Sequence, residues 1–346
     1  MFNYNYVGSL LARLFRENGY TLQLELHPGG HCGPLHCKYC YGLDQSLCEG
    51  MLTIKDYERL FEELTNNETF IEISGIRSDP LSYPFFLNLI RLIKNGMHTF
   101  GIHTKGYFLN NSLIKLLNSE TEKNNYITIS VDSANNRVYN MLHGIPVQDK
   151  RVFNVVKRNI LNIYEEKLRS NSNLRINLSY LLFKNNSSKE HIEEFLSSFG
   201  DHSDIIRFSV PQVPNVGKAE NFLDWNEIER TFELLKNYEN PKVKVLGFIE
   251  STREKFSYCW AQRFNATIDK SGNVFPCPQV ALEQYLHLIW GNIRQDSLTN
   301  IWNSEKRKKM LKMHVDEMNC RVCDRKDLCI NVELNRIMDS ERFLLH

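Results

Sequence analysis

Three cysteines lie close together between His31 and Cys40, in the segment His-Cys-Gly-Pro-Leu-His-Cys-Lys-Tyr-Cys. The segment follows an alternating apolar stretch, Thr21–Leu26, which predicts a short strand that leads into a cysteine-bearing loop. Three thiolates on such a loop can hold three irons of a cubane [4Fe–4S] cluster and leave the fourth iron without a protein ligand. An open iron can bind a small molecule and pass it an electron, so the loop indicates a reaction as well as binding.

Zinc is the alternative occupant of this loop. His31, His36 or Cys48 would then supply a fourth ligand, because His and Cys are both ligands that zinc prefers. The spacing of the loop alone leaves both alternatives open.

The elements that would position the loop alternate between strands and helices. The candidate strands, each rich in Val, Ile, Leu, Phe or Thr, are Thr21–Leu26, Phe70–Ser74, Thr99–Thr104, Ile127–Val131, Leu174–Phe183 and Ile205–Val210. The candidate helices are a short one from about Gly8 to Arg16, then Ile54–Leu64, Phe85–Lys94, Ser112–Leu117, Val152–Leu168, Lys189–Ser198 and Trp225–Asn237. Six strand–helix units in succession predict an α/β fold with a parallel sheet, open or closed into a partial barrel.

Polar segments follow the predicted strands at the end where such folds bind ligands. Ser74–Pro80 follows the second strand, Thr104–Gly106 ends the third, and Ser130–Ser133 ends the fourth. Each segment alone is a weak signal. Together with the cysteine loop they predict one site at the carboxyl ends of the strands.

Length and composition limit the class of protein. The 346 residues suffice for one large and one smaller domain, and a net charge of +1 indicates neither a nucleic-acid nor a membrane surface. Apolar runs such as Tyr180–Phe183 are too short for a bilayer, and Met1–Tyr6 lacks the features of a signal peptide. We therefore expect a cytoplasmic protein, in which nine cysteines in spaced clusters favour metal over disulfides.

A second group of cysteines begins after about Phe248, where the alternation of strands and helices stops. Ala266–Cys277 predicts a hairpin with a Ser-Gly-Asn turn that delivers a thiolate at its end. The cysteines of this group are Cys259, Cys277, Cys320, Cys323 and Cys329. We predict a first domain over residues 1–247 and a cysteine-rich α+β domain over residues 248–346.

The loop and the strand ends resemble those of the radical SAM enzymes. The usual loop of that family is Cys, three residues, Cys, two residues, Cys, with an aromatic residue before the last Cys. Here Tyr39 takes the aromatic place, and the gap between Cys32 and Cys37 is one residue longer, which Gly33-Pro34 can absorb as a turn. The resemblance implies a partial (βα)6 TIM-like barrel in which Cys32, Cys37 and Cys40 are the catalytic cluster ligands.

The resemblance also implies where S-adenosylmethionine (SAM) binds. Ser74-Gly75 and Asp79-Pro80 resemble the family's Gly-Gly-Glu-Pro loop, which binds the methionine amino group, and Thr104–Gly106 resembles its Thr-Asn-Gly. The implied SAM-binding residues are Tyr39, Ser74, Gly75, Asp79, Ser130 and Asp132. The alternatives are that Asp79 caps the next helix and that the other strand-end polar residues satisfy turn backbone. Arg207 can meet a carboxylate of SAM or of the substrate.

The second cysteine group resembles the SPASM or the shorter twitch extension of these enzymes, which holds auxiliary clusters. Glu333 stands where a further cysteine is expected, and five thiols cannot fill two four-thiolate sites. We therefore expect one auxiliary [4Fe–4S] cluster on Cys259, Cys277, Cys320 and Cys323, with Cys329 as a substitute ligand. A zinc ribbon is the alternative.

The resemblance implies reductive cleavage of SAM to a 5′-deoxyadenosyl radical, which takes a hydrogen atom from the substrate. We expect the substrate to be a ribosomally made peptide that is crosslinked, epimerised or oxidised. An aminocyclitol or sugar-like molecule, dehydrogenated or epimerised, is the alternative, and a non-catalytic zinc module is the alternative of another class. The resemblance further implies an electron donor such as flavodoxin or ferredoxin. Cys48 is either a hydrogen-atom donor or a buried thiol.

Overall fold

The fold is given by a computed structural model that describes residues 23–40, 42, 50–64, 69–96, 98–119, 125–211, 221–246, 256–320, 323, 331–332 and 334–335. The predicted helix at Gly8–Arg16, Cys48, Cys329 and Glu333 lie outside the described residues. The chain divides into two compact units. The first unit comprises Met1–Leu26, Ser46–Ile71 and Ile249–His346, and the second comprises His27–Gln45 and Glu72–Phe248.

Short strands alternate with helices through most of the described chain. The strands are β1 Gln23–Leu26, β2 Phe70–Ile73, β3 Thr99–Thr104, β4 Tyr126–Ser130, β5 Arg175–Leu181, β6 Ile205–Ser209, β7 Val243–Leu246, β8 Asn265–Ile268, β9 Asn273–Phe275 and β10 Gly291–Asn292. The α-helices are α1 Ile54–Leu64, α2 Phe86–Asn95, α3 Asn111–Leu117, α4 Asn136–Leu142, α5 Arg151–Ser170, α6 Lys189–Phe199, α7 Trp225–Lys236, α8 Leu298–Trp302 and α9 Glu305–Met310.

The second unit contains the strand order β3-β4-β5-β6-β7, in which neighbouring strands pair in parallel. Register places Ile102 beside Ile127 and Ile127 beside Ile176. Because side chains of paired residues point to the same face, these isoleucines form one apolar row, and all of them are buried. The alternate residues of the same strands form a polar face.

The helices of the second unit bury one apolar stripe each. In α5, Val156, Ile160 and Ile163 recur at helical spacing and are fully buried. The helix ends at Asn171, which adopts a left-handed conformation with φ of 51°. The sequence periodicity that predicted this helix is therefore the periodicity of its buried face.

The first unit contains the predicted hairpin. Strands β8 and β9 are antiparallel, and Gly272 turns the chain between them with φ of +89°. Strand β8 also pairs in parallel with β1, where Leu24 lies beside Ala266. The hairpin prediction is confirmed, and Cys277 follows its second strand as expected.

Each predicted element that falls on described residues is present. Where both the predicted and the observed end lie on described residues, the two differ by at most two residues. Helices α4, α8 and α9 and strands β7 and β10 were not predicted. Helix α4 has seven residues and β7 has four, and β7 lies at the end of the sheet order, so the periodic pattern of each covers few residues. Among the described residues, we find no helix with the length and apolar character needed to cross a bilayer.

Candidate functional site

The cysteine loop lies in the second unit and is fastened on one side to the segment after β2. The backbone N–H of His31 donates to Ser82 Oγ at 2.7 Å, and that hydroxyl donates to His31 O at 2.8 Å. The N–H of Asp79 donates to the same carbonyl at 3.3 Å. The first cysteine is thus held next to the loop that corresponds to the predicted SAM-binding segment.

The other side of the loop is fastened to the C-terminal end of α4. His36 N donates to His143 O at 2.8 Å, and Lys38 N donates to Leu142 O at 3.3 Å. Gly144 follows with φ of +66°, and a Cβ at this position would lie 2.3 Å from the His36 carbonyl oxygen. Only glycine fits this approach, which keeps the helix end and the loop in backbone contact.

The extra residue in the first cysteine gap is absorbed by the predicted turn. Gly33 has φ of +63°, and Leu35 N donates to Cys32 O at 3.3 Å to close the turn. A Cβ on Gly33 would approach the Phe108 ring to 2.7 Å. The ring therefore packs where a side chain would stand, and the longer gap leaves the loop compact.

Asp79 is buried, and protein groups occupy both of its carboxylate oxygens. It accepts from Leu81 N at 3.0 Å, which caps the short 3₁₀ helix Pro80–Ser82. It also accepts from the Thr104 hydroxyl at 2.8 and 2.9 Å and from Lys105 N at 2.8 Å. The capping alternative is therefore present in the structure, and the same carboxylate joins the segments that follow β2 and β3.

Asp132 lies at the centre of a buried polar cluster after β4. The hydroxyl of Tyr39 donates to its carboxylate, and the Lys105 ammonium and His143 Nε2 each lie 3.3 Å from Oδ2. Its other oxygen accepts from Leu181 N at 2.8 Å. We call Tyr39, Lys105, Asp132 and His143 the Asp132 cluster. It joins the cysteine loop to the ends of three strands and to the end of α4.

The cluster is closed by its own hydrogen bonds and by an unusual backbone conformation. Lys105 Nζ lies 2.5 Å from Tyr39 Oη and 3.4 Å from His143 Nε2. Asp132 has φ of +61°, a conformation that non-glycine residues rarely adopt, and Asn186 Nδ2 donates to its carbonyl at 2.7 Å. The fixed backbone aims the carboxylate at Tyr39, one residue before Cys40.

The two buried carboxylates respond differently to their surroundings. Burial raises the pKa of Asp79, because its hydrogen-bond donors are neutral groups that offset burial only in part. Burial would also raise the pKa of Asp132, but the Lys105 ammonium and the His143 hydrogen bond hold it well below its ordinary range. Lys105 therefore favours the ionised form of Asp132, whereas Asp79 lacks a cation in direct contact among the described residues.

The three thiols lie near one another and near positive charge. Burial raises the pKa of Cys32 to about 12, and the neighbouring Cys37, Asp79 and Cys40 contribute in the same direction. Burial also raises the pKa of Cys37, while the Lys105 ammonium lowers it. Three clustered thiols whose ionisation needs a nearby cation fit a site-differentiated iron–sulfur cluster, in which each thiolate binds its own iron.

The first unit holds the described cysteines of the second group. Cys277 is buried before the 3₁₀ helix Pro278–Val280, and Cys259, Cys320 and Cys323 are partly exposed. Among the described residues, no three His, Cys, Asp or Glu side chains are grouped to share a single metal ion. A cubane places its thiolates on separate irons and therefore does not need such a group.

The contacts described above connect Tyr39, Asp79 and Asp132 to the cysteine loop or to its neighbours, whereas Ser74, Gly75 and Ser130 are placed here by their strands. Ser74 and Gly75 follow β2, and Ser130 ends β4, directly before the segment that carries Asp132. The sequence interpretation did not place Lys105 among the SAM-binding residues, and it missed His143, which contacts Tyr39 Oη at 3.2 Å. Nothing in the local pattern marks His143; only the Asn135 cap of the unpredicted α4 could have drawn attention to the segment.

Acidification is expected to destabilise the second unit through the Asp132 cluster. Burial and then the Lys105 charge hold the pKa of His143 below 6.5, and the pKa of Asp132 lies below 3.8. The unfolded chain therefore binds protons that the folded chain does not, first near pH 6.5 and then near pH 4. Urea midpoints between pH 8 and pH 4 should fall. His143→Gln should flatten the upper part of the decline and Asp132→Asn the lower part, and an unchanged profile in both variants would contradict the assignment.

Comparisons with known proteins agree with these observations. The model of the SPASM iron–sulfur cluster-binding domain matches residues 259–324. The tungsten-containing aldehyde ferredoxin oxidoreductase cofactor-modifying protein of Pyrococcus furiosus is 23% identical over 317 residues, 85% of each chain.

Solved structures with the same fold include SuiB of Streptococcus suis, in a complex with S-adenosylmethionine, at a TM-score of 0.64 and 18% identity over 87% of this chain and 69% of that one. Another is anSMEcpe with bound S-adenosylmethionine, at a TM-score of 0.59 and 17% identity over 85% and 80% of the two chains. The chain therefore shares the fold of these S-adenosylmethionine-bound structures, a partial TIM-like barrel, and its residues 259–324 match the SPASM iron–sulfur domain, as the sequence predicted.

Proposed function

We propose that this chain cleaves SAM reductively and uses the resulting radical on a peptide. Cys32, Cys37 and Cys40 would hold the first [4Fe–4S] cluster. When bound, this cluster supplies an electron and an open iron to SAM, which breaks to methionine and a 5′-deoxyadenosyl radical that takes a hydrogen atom from substrate. The observation that carries the proposal is the cysteine loop, hydrogen-bonded on one side to the segment after β2 and on the other to the C-terminal end of α4.

The residues around the loop have distinct parts in this proposal. Asp132 and Lys105 hold Tyr39, and through it the last turn of the cysteine loop, in one position. Asp79 shapes the turn after Ser74 and Gly75, whose carbonyls we propose as acceptors for the SAM ammonium. An ammonium near Asp79 would also favour its ionised form, since its direct hydrogen-bond donors are neutral.

We propose one auxiliary [4Fe–4S] cluster in the first unit, with Cys259, Cys277, Cys320 and Cys323 as ligands and Cys329 as a substitute ligand. The match of residues 259–324 to a cluster-binding domain supports a cluster here, while the cysteine count supports one and not two. Residues 1–247 and 248–346 are the proposed barrel and auxiliary-cluster domains. The proposed electron donor is a flavodoxin or ferredoxin, in the cytoplasm.

The peptide substrate is proposed from the relatives and from the polar face of the sheet. SuiB has been solved with the precursor peptide SuiA, and anSMEcpe with a Cp18Cys peptide. On the polar face of this chain, buried atoms of Thr128, Asn177 and Arg207 have no hydrogen-bond partner among the described residues. Buried polar atoms need partners, so this face suits a ligand with several hydrogen-bonding groups, such as a peptide backbone.

Anaerobic reconstitution tests the proposal. Two four-iron clusters give about eight irons and about eight sulfides per chain. SAM should perturb the EPR signal of the reduced first cluster, and a chemical reductant should yield 5′-deoxyadenosine slowly without substrate. Stoichiometric zinc without iron would contradict the proposal and favour the zinc module.

The substrate requires a separate measurement. We expect a precursor peptide encoded beside this chain's gene to accelerate 5′-deoxyadenosine formation and to change in mass. Turnover of an aminocyclitol or sugar without any peptide effect would support the alternative substrate class.

A further inference from the structure

Asn331 lies between two cysteines of the second group. Its side chain is fully buried in the first unit, and its amide nitrogen is 3.7 Å from Cys259 Sγ and 3.6 Å from Cys323 Sγ. Both distances suit N–H···S hydrogen bonds. Because one nitrogen reaches both sulfurs, the two sulfurs lie no farther apart than the sum of these distances. Cys259 and Cys323, which are distant in sequence, thus both have their sulfur next to the Asn331 amide.

The other end of the same amide fixes its orientation. Asn331 Oδ1 accepts from Trp260 N at 2.6 Å and from Ala261 N at 2.9 Å. A flipped amide would place its N–H groups against these two backbone donors, so the oxygen must face them. The N–H groups therefore have to point toward the sulfurs, and the segment after Cys259 is held by the same side chain.

Positive charge also accumulates near Cys259. The Arg263 guanidinium stacks 4.8 Å from the Trp260 ring centroid; burial lowers its pKa, whereas the Cys259 thiolate raises it. Burial and then Arg263 lower the pKa of Arg307 to about 9. Within the described part of the chain, neither arginine has a carboxylate partner. An anionic group in this region would offset both buried cations.

We propose that Asn331 is a positioning residue of the auxiliary cluster, which donates hydrogen bonds to Cys259 and Cys323 as ligands of one cluster and raises its reduction potential. The inference rests on the proposed function, since it requires a cluster in the first unit. Hydrogen bonds to ligand sulfurs withdraw charge from them, and the nearby Arg263 cation acts in the same direction. Both effects favour the reduced cluster, which carries one more negative charge.

Asn331→Asp is the sharpest test, because Asp keeps the acceptor for Trp260 and Ala261 and removes the donors to sulfur. Asn335→Asp is the matched control. Asn335 is buried four residues later, and its hydrogen bonds within the described part of the chain go to the backbone of Tyr258 and Asn331. The readout is the midpoint potential of the auxiliary cluster by EPR-monitored titration of the protein with both clusters. A variant with Ala at positions 32, 37 and 40 identifies the auxiliary signal.

We expect Asn331→Asp to lower the equilibrium constant for reduction of the auxiliary cluster at least about tenfold. For a one-electron couple this lowers the midpoint potential by about 59 mV. Asn335→Asp should change the same equilibrium constant less than about threefold. Loss of the auxiliary irons from Asn331→Asp alone would also support the positioning role, with 5′-deoxyadenosine formation retained. Equal behaviour of the two variants would overturn the inference. A wild-type protein without iron would instead overturn the proposed function, so the two failures are distinct.

Discussion

Replacing Cys40 by alanine is expected to abolish 5′-deoxyadenosine formation and to leave the auxiliary cluster in place. Cys40 follows Tyr39, a member of the Asp132 cluster. The backbone N–H of Cys40 donates to Cys37 O at 3.1 Å and closes a turn. The proposed open iron exists only while the other three irons keep their thiolates. Loss of residues that merely orient ligands costs about 10–100-fold, so loss of a ligand should reduce the rate by more than about a hundredfold.

The experiment measures both the iron content of each variant and the 5′-deoxyadenosine that it forms. The wild type should hold about eight irons in two cubane clusters, and Cys40→Ala should retain about four of them. Cys277→Ala is the control, because it removes a proposed auxiliary ligand at the end of the hairpin in the other unit. It should lose about as much iron, yet still form 5′-deoxyadenosine without substrate. If Cys40→Ala cleaves SAM as fast as the wild type, the catalytic assignment of the loop is wrong.

Local patterns predicted the strands and helices because the parallel sheet buries alternate residues and the helices bury one stripe each. The periodicity of α1, in which Tyr57, Leu60, Phe61 and Leu64 are buried, is the pattern that the sequence displays. The positions of the cysteine loop and strand-end segments followed from the rule that parallel strands end at one edge.

Contacts between distant segments could not be predicted in the same way. Asp132 meets Tyr39, Lys105 and His143 only because strand register and the unpredicted α4 bring their segments together. Asn331 carries no sequence signal, since an asparagine two residues after Cys329 is ordinary until its two sulfur neighbours are seen. Sequence spacing thus identified the proposed ligands, whereas the groups proposed to fix and tune them required the fold.

Lys105→Met is expected to destabilise the second unit by about 3–5 kcal/mol, because it leaves the Asp132 carboxylate buried without its ammonium partner. Asp132 is 0% exposed and lies 3.3 Å from Lys105 Nζ. Asp132→Asn should be costly for the converse reason, although asparagine tolerates the positive φ and can still accept from Leu181 N. The measurement is the free energy of unfolding in urea, with wild type and variants compared at pH 7.5.

The double variant Lys105→Met/Asp132→Asn separates charge pairing from lost packing. It leaves no unpaired charge, so its cost should fall below the sum of the two single costs by at least about 1 kcal/mol. The partly exposed pair Lys167–Asp204 is the control within the same unit, and solvent screening should limit its coupling to about 1 kcal/mol or less. Additive costs at Lys105 and Asp132 would mean that the pair does not hold Tyr39. Coupled costs, with a parallel loss of 5′-deoxyadenosine formation, would mean that this buried pair supports the cysteine loop.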